Sequence, residues 1–266
     1  MAARTARRAE RRRLDLELVA RGIAPSRERA QALILGGAVR VDGEPVRRPS
    51  ALVAPDAEIA SRTGPDYVGR GAEKLIGALD DFGISVAARI CVDVGSSTGG
   101  FTDVLLRREA KRVYAIDVGK GQLAWRLRQD ERVVVMEGQN VRDLRSLPEP
   151  IDLAVADVSF ISLALALPPV VPFLAPGADV VALVKPQFEA GPRAVSRGGV
   201  VRDPAARAAA VRRVVDALAR YGLGVRHVAR SRLRGREGNV EVFCHLRLGP
   251  ADASIDLDAA IAEASA

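Results

Sequence analysis

The residues best placed to do chemistry lie between Ile90 and Leu106, which read Ile-Cys-Val-Asp-Val-Gly-Ser-Ser-Thr-Gly-Gly-Phe-Thr-Asp-Val-Leu-Leu. An apolar run reaches Asp93, turns through Gly95, Gly99 and Gly100, and continues as an amphipathic stretch. This is the pattern of the first strand–turn–helix in a nucleotide-binding α/β sheet. Glycines there let the backbone approach a ligand, and free N–H groups at the helix start favour electron-rich atoms. No Gly-Lys-Ser/Thr closes the turn, and it is not Gly-x-Gly-x-x-Gly, so neither a phosphate loop nor a dinucleotide fingerprint is present. A second apolar run, Arg112–Ile116, ends at Asp117, where such folds place the acid that binds ribose hydroxyls. With no phosphate signature in the turn, a nucleoside ligand such as S-adenosylmethionine fits best.

Only four of the forty basic residues are lysine: Lys74, Lys111, Lys120 and Lys185. Lysine can lose its proton when buried, whereas arginine effectively cannot, so each lysine is a candidate for proton transfer. Lys185 closes the apolar run Asp179–Val184, and Asp157 closes the neighbouring run in the same way. Both therefore fall at the edge where open α/β sheets place ligands. Asp157 is followed by Val-Ser-Phe, not by the Pro-Pro-aromatic of amino-directed methyl transfer. Methylation at a pyrimidine carbon usually needs a cysteine nucleophile, and Cys91 and Cys244 are badly placed for one. A hydroxyl acceptor remains. Its proton must be removed with help from a base or a charge, and a desolvated lysine beside another cation can act as that base.

The elements that must position these residues follow from periodicity. Strands are expected near 90–94, 112–117, 132–136, 151–156 and 179–184, with helices near 69–82, 101–109, 121–128, 161–167 and 204–220. Such alternation argues for a mostly parallel sheet with helices on both faces, a Rossmann-like α/β fold. Strands at about 225–230 and 239–247 are expected to close it as an antiparallel edge pair. Ahead of this lies a small α+β unit. Leu14, Leu16, Leu18 and Val19 open a helix ended by Gly22, and Ser26 caps a second helix that turns Ala30, Leu33 and Ile34 inward and stops at Gly36-Gly37. Val39–Val41 and the turn at Asp42-Gly43 suggest a hairpin, and Ala57–Ala60 a last short strand. The expected layout is residues 1–60 as the first domain with a basic extension, 61–68 as a linker broken by Gly64 and Pro65, 69–250 as the second domain, and 251–266 as an Ala- and Asp-rich tail.

Composition narrows the partners. The net charge is +7 and the pI about 10.1, and residues 1–13 hold six arginines against the single acid Glu10. A polyanionic partner is implied. The two cysteines are far apart in strand-like runs and read as buried hydrophobes of a reducing, cytoplasmic environment. His227 and His245 lack metal-ligand spacing, so no metal is expected. The most apolar region, Leu163–Val184, is interrupted by four prolines and Asp179, which excludes a membrane span.

Two resemblances then emerge. Arg-Leu-Asp at 13–15, Gly22, Ser26-Arg27, Ala30, the Leu33–Gly37 run and Val39 through Gly43 resemble the alpha-L RNA-binding module. The resemblance implies that Arg13, Arg27, Arg29 and Arg40 face phosphates, positioning RNA with little base reading. The rest resembles the TlyA family of rRNA 2′-O-methyltransferases, which join such a module to an FtsJ-like domain. The matching segments are Arg70–Leu75, Asp93–Phe101, Asp117–Trp125, Ala156–Ser162, Val184–Glu189, Gly198–Pro204 and Gly238–Glu241. The resemblance implies a Lys-Asp-Lys-Glu tetrad on Lys74, Asp157, Lys185 and Glu241, with Lys185 accepting the proton of a ribose 2′-hydroxyl. It implies S-adenosylmethionine over Asp93, Gly95, Ser96, Ser97, Thr98, Gly99, Gly100 and Phe101, with Asp117 on its ribose and Asn140 near its adenine.

By the same resemblance the substrate is a cytidine in the rRNA of an assembled ribosomal subunit. The arginine-bearing residues 1–12 favour the type that modifies both subunits. Phe160 and Phe188 are the local candidates for base stacking in a chain with 4% aromatic residues. Two departures stand out. Pro65-Asp-Tyr-Val68 replaces the Arg-x-Trp-Val linker, and Arg232-Leu-Arg-Gly-Arg236 replaces a proline-rich segment. The second suggests that Arg232, Arg234 and Arg236 touch RNA phosphate beside Glu241. A non-catalytic RNA-binding assembly factor is the competing class. A membrane-lytic protein is disfavoured, because no strong cationic amphipathic helix appears. A monomer is expected.

Overall fold

The computed structural model describes residues 11–61, 67–235 and 237–266. The chain divides into two compact units, Met1–Asp66 and Tyr67–Ala266. In the first, β1 (Arg12–Arg13) leads into α1 (Leu14–Ala20) and α2 (Arg27–Leu35), followed by β2 (Val39–Val41), β3 (Glu44–Pro45), β4 (Leu52–Val53) and β5 (Ile59–Ser61). β2 pairs antiparallel with both β3 and β5, and β1 pairs with β4. Ser26 Oγ accepts the Arg29 N–H at 3.2 Å and so caps α2. Leu14, Leu18, Ala30, Ile34, Val39 and Val53 form the core, while Leu16 and Val19 face solvent. The inward stripe of α1 thus follows i and i+4.

The second unit opens with α3 (Gly71–Asp81) and runs β6 (Ile90–Val94), α4 (Gly100–Arg107), β7 (Arg112–Asp117), α5 (Trp125–Arg128) and β8 (Val133–Glu137). It continues through β9 (Ile151–Ala156), α6 (Leu163–Ala166), β10 (Leu174–Val184), α7 (Pro186–Glu189), α8 (Pro204–Ala219), β11 (Leu223–Arg230), β12 (Val242–Leu248) and α9 (Leu257–Ser265). The seven strands are ordered β11-β12-β10-β9-β6-β7-β8. Strands β10, β9, β6, β7 and β8 are parallel, and β12 runs antiparallel to both β10 and β11. Strand order reverses between β6 and β9, so a crevice opens beyond their C-terminal ends.

Alternate residues of each strand feed two cores. Cys91, Val113, Leu153, Val181 and Phe243 pack with α3 and α4, whereas Val92, Tyr114, Ala154, Val180 and Cys244 pack with α8 and α9. The two cysteines are free and buried on opposite faces, and burial pushes each thiol up to about 12. Among the described residues no helix is long and apolar enough to cross a membrane.

Three elements differ from expectation. The helix expected over 121–128 begins only at Trp125, because Glu137 takes the N–H groups of Gly121, Gln122 and Leu123. The strand expected from 239 starts at Val242, leaving Glu241 in a loop. The Ala- and Asp-rich segment forms α9, capped by Asp256 and burying Ile261 and Ala264. Buried Arg207 donates to the carbonyls of Ser265 and Ala266, each at 2.6 Å.

Candidate active site

The crevice is a cleft of about 350 Å³ lined by Gly95, Ser97, Asp117, Asn140, Asp157 and Ser159, among others. Gly95 is required twice over: its φ is +85°, and a Cβ there would lie 2.6 Å from the Asp157 carbonyl oxygen. The missing side chains of Gly99 and Gly100 are likewise met by protein atoms, Leu127 and the Val68 carbonyl. The glycines therefore serve close packing of the turn as much as ligand approach. Gly95→Ala is expected to cost about 1–3 kcal/mol of stability from backbone strain alone. It should also push Asp157 out of place and lower turnover, read by thermal melting and a rate assay. A variant that melts like the parent would sink this account.

Asp117 is fixed by the N–H groups of Ser97 (2.8 Å) and Gly119 (2.7 Å). Asn140 lines the same cleft and accepts the Arg142 N–H at 3.1 Å. Near the end of β6, Asp93 Oδ2 accepts the Thr102 hydroxyl at 2.6 Å, while Asp93 Oδ1 and, in the turn that follows, Ser96 Oγ are buried without a partner. Burial pushes the Asp93 carboxyl up to about 7. Thr98, on the turn, gives its carbonyl to the Ala124 N–H. Phe101 turns into the core against Phe243, with ring centroids 6.3 Å apart, and does not line the cleft. A fixed carboxylate at the end of β7, unsatisfied polar atoms at the turn and a volume in the small-ligand range fit a nucleoside-bearing cofactor.

Sequence reading missed Glu137, which holds the backbone of Gln122, a residue of the cleft lining. Its carboxylate accepts from Gly121, Gln122 and Leu123 N–H groups and from Arg128 at 2.6 Å. The Leu123 and then the Arg128 bonds pull it from 4.5 to about 2. A depressed carboxyl contributes stability that is full above its unfolded value and lost as pH falls through the folded one. The 121–123 turn is therefore expected to open in acid between about pH 4.5 and 2. Fluorescence of Trp125, the single tryptophan, reports it. Finding the same acid step in Glu137→Gln would refute the assignment.

Two buried or half-buried ion pairs stand by the cleft. Lys185, at the end of β10, places Nζ 2.6 Å from Asp157 Oδ1, an ion pair outside hydrogen-bond alignment, and donates to Ser159 Oγ at 3.0 Å. Lys74, one turn into α3, pairs with Glu241 Oε2 at 2.5 Å. The first turn of α3, which carries Lys74, lies against Asp157, since a Cβ on Gly71 would sit 4.0 Å from Asp157 Oδ2. Gly235 makes room for the glutamate, because a Cβ there would lie 2.5 Å from Glu241 Oε1.

The loop after β9 is tied to the turn after β10. Glu189 accepts the Ser162 hydroxyl at 2.6 Å and the Leu163 N–H at 2.8 Å, and burial pushes its carboxyl up despite those bonds. Between these ties Phe160 is 90% exposed, has φ +64°, and lies 5.0 Å from the Phe188 ring. Ser159 and Glu189 lie inside the Ala156–Ser162 and Val184–Glu189 segments that carried the family resemblance, whereas Glu137 carries no spacing signal.

The arginines expected on RNA are mostly engaged internally. Arg13 and Arg27 both bind the buried Asp15, at 2.9 and 3.1 Å, with Gln31 also donating to it. These bonds, Arg13 first, hold the Asp15 carboxyl well below the usual carboxylate range. Arg40 donates to the Gly43 carbonyl at 2.7 Å, and Arg29 is half-buried. Arg232 is pinned to Asp81 at 2.5 Å, and Arg234 reaches the Gly238 carbonyl at 3.2 Å. Arg236 and the arginine-rich residues 1–10 lie outside the described residues.

A reversed strand order, a glycine turn after β6 and an acid at the end of β7 define a methyltransferase-type α/β domain, and residues 67–248 match the FtsJ-like methyltransferase family. Residues 12–59 match the S4 domain. Over 243 residues the chain is 50% identical to the 16S/23S rRNA (cytidine-2′-O)-methyltransferase TlyA of Mycobacterium tuberculosis strain CDC 1551, covering 90% of this chain and 91% of that one. It is 39% identical to Hemolysin A of Brachyspira hyodysenteriae, covering 88% and 98%. A solved structure of a candidate hemolysin from Streptococcus thermophilus superposes with a TM-score of 0.73 at 37% identity, covering 96% of each chain. The chain belongs to the TlyA family of FtsJ-like methyltransferases.

Proposed function

We propose that this protein methylates the ribose 2′-hydroxyl of cytidine in ribosomal RNA of both subunits, with S-adenosylmethionine as donor. The observation that carries the mechanism is Lys185 Nζ, 2.6 Å from Asp157 at the lip of the cleft. When bound, S-adenosylmethionine supplies an electrophilic methyl group on a sulfonium. Asp93, Gly95, Ser96, Ser97, Thr98, Gly99, Gly100 and Phe101 would form or buttress its seat, Asp117 would hold its ribose, and Asn140 would take its adenine.

Lys185 accepts the 2′-hydroxyl proton and so readies the oxygen for the methyl group, which S-adenosylmethionine would give up as its sulfonium becomes a neutral thioether. Asp157 orients the amine and neutralises the ammonium so formed. Lys74 and Glu241 brace the other side, and Phe160 with Phe188 offers the base an aromatic face. The small-subunit part of the reading rests on the family resemblance of residues 1–12, and the place of action is the cytoplasm, where the subunits are.

The test is transfer of labelled methyl to unmethylated small subunits, large subunits and naked rRNA. Label recovered as 2′-O-methylcytidine on both subunits is expected. RNA binding without label on any substrate would overturn the reading in favour of an assembly factor.

A further inference from the structure

Strand register brings two loops to the edge that carries Lys185. Val242 pairs with Val184 on one side and with Arg230 on the other. The 231–241 loop and the 190–203 segment that follows α7 therefore both leave the sheet at this edge. Asn239 joins them: its Oδ1 accepts the Val201 N–H at 3.0 Å and its Nδ2 donates to the Gly199 carbonyl at 2.8 Å. Gly235 N–H bonds the Asn239 carbonyl, and Ser231 N–H bonds that of Glu241, both at 2.9 Å. Arg207 holds the Val201 and Arg202 carbonyls from beneath. Its guanidinium is pushed below its ordinary value by burial first and then by Arg230 and Arg234, which places those two cations close by.

Exposed on this knit surface are Arg193, Arg197, Arg202, Arg230 and Arg234. Among the described residues the first four make no side-chain hydrogen bond or ion pair, and Arg234 makes only its bond to the Gly238 carbonyl. The acids nearby are few. Asp203 caps α8 through the Ala205 N–H, Glu241 is taken by Lys74, and Glu237 remains. The contrast with Arg13 and Arg27, whose guanidiniums are spent on Asp15, is direct.

We infer that Arg193, Arg197, Arg202 and Arg230 form a phosphate-docking rim by which the methyltransferase unit itself grips the RNA backbone flanking the target ribose. The inference rests on the function proposed above. A ribose whose 2′-oxygen reaches Lys185 brings its phosphodiesters near the sheet edge where Val184, Val242 and Arg230 lie side by side. Guanidiniums left without internal partners match phosphate oxygens in charge and fork geometry.

The test compares full-length parent, a fourfold Arg→Ser variant at these positions and a fourfold Arg→Lys variant. Each is titrated with transcribed, unmethylated large-subunit rRNA and with large subunits across a salt series. Each lost phosphate contact should lower the slope of log K against log salt by about 0.7–0.9, so the Ser variant should lose about 3–3.5 and the Lys variant little. An unchanged thermal midpoint in both variants checks the fold. A parental slope in the Ser variant overturns the rim alone. A slope change with subunits but not with naked rRNA reassigns it to a protein contact. A parent that binds neither overturns the RNA reading and the rim together.

Discussion

Replacing Lys185 with Met is expected to slow methyl transfer by about 10²–10⁴-fold, the range that a positioned proton-transfer group supplies. The residue is held through its backbone and at two side-chain contacts. Pro186 starts α7 immediately after it, Ser159 accepts from Nζ, and Asp157 lies 2.6 Å away. Methionine keeps the length and the apolar stem but brings no proton acceptor. Lys185→Arg is the sharper variant, because guanidinium keeps the positive charge and cannot give up its proton. If Lys185 accepts the 2′-proton, both variants fail in single-turnover transfer while still binding labelled S-adenosylmethionine. An Arg variant within a few-fold of the parent would sink the proton-acceptor role and leave Lys185 as an electrostatic contact only.

How far such a site can be read from sequence depends on whether spacing or tertiary contact makes it. The strand ends were legible because apolar runs of three to five residues stop at Asp93, Asp117, Asp157 and Lys185, and parallel strands present their C-terminal ends together. Spacing cannot show that Gly95 is glycine because any Cβ there would lie 2.6 Å from the Asp157 carbonyl oxygen. Nor does it show that Glu137 would unwind the start of a helix by taking three of its N–H groups. Propensity favoured helix over 121–128, and one carboxylate with better geometry won. The C-terminal segment misled for the opposite reason. Its weak Ala/Asp pattern becomes a helix only because α8 and β11 bury Ile261 and Ala264 and Arg207 holds its last carbonyls.

The arginines show the same limit in another form. Arg13 and Arg27 are at the right spacing for an RNA face, yet a buried acid at position 15 draws both. A basic residue in a sequence is a charge without an address, and only the partner it finds says whether it holds the fold or awaits a ligand.

Lys74→Ala is expected to be the most destabilising single change near the site. Glu241 is 3% exposed and Lys74 13%, and they meet at 2.5 Å. Removing the lysine leaves a buried carboxylate unpaired, which costs about 3–5 kcal/mol. For a unit of this size that is a fall in thermal midpoint of roughly 10 °C. Gly235 offers little relief, because its backbone closes over Glu241 Oε1. The double change Lys74→Met with Glu241→Met removes both charges, and well-packed apolar replacement of a buried pair is often neutral or stabilising. The double variant should therefore melt near the parent and still fail to transfer methyl, because the brace beside Asp157 has lost its charge pattern. Thermal melts and single-turnover rates on the same preparations separate the two effects. Recovery of activity along with stability would reduce the Lys74–Glu241 pair to a structural tie, and a parental midpoint in Lys74→Ala would show that the glutamate finds another partner.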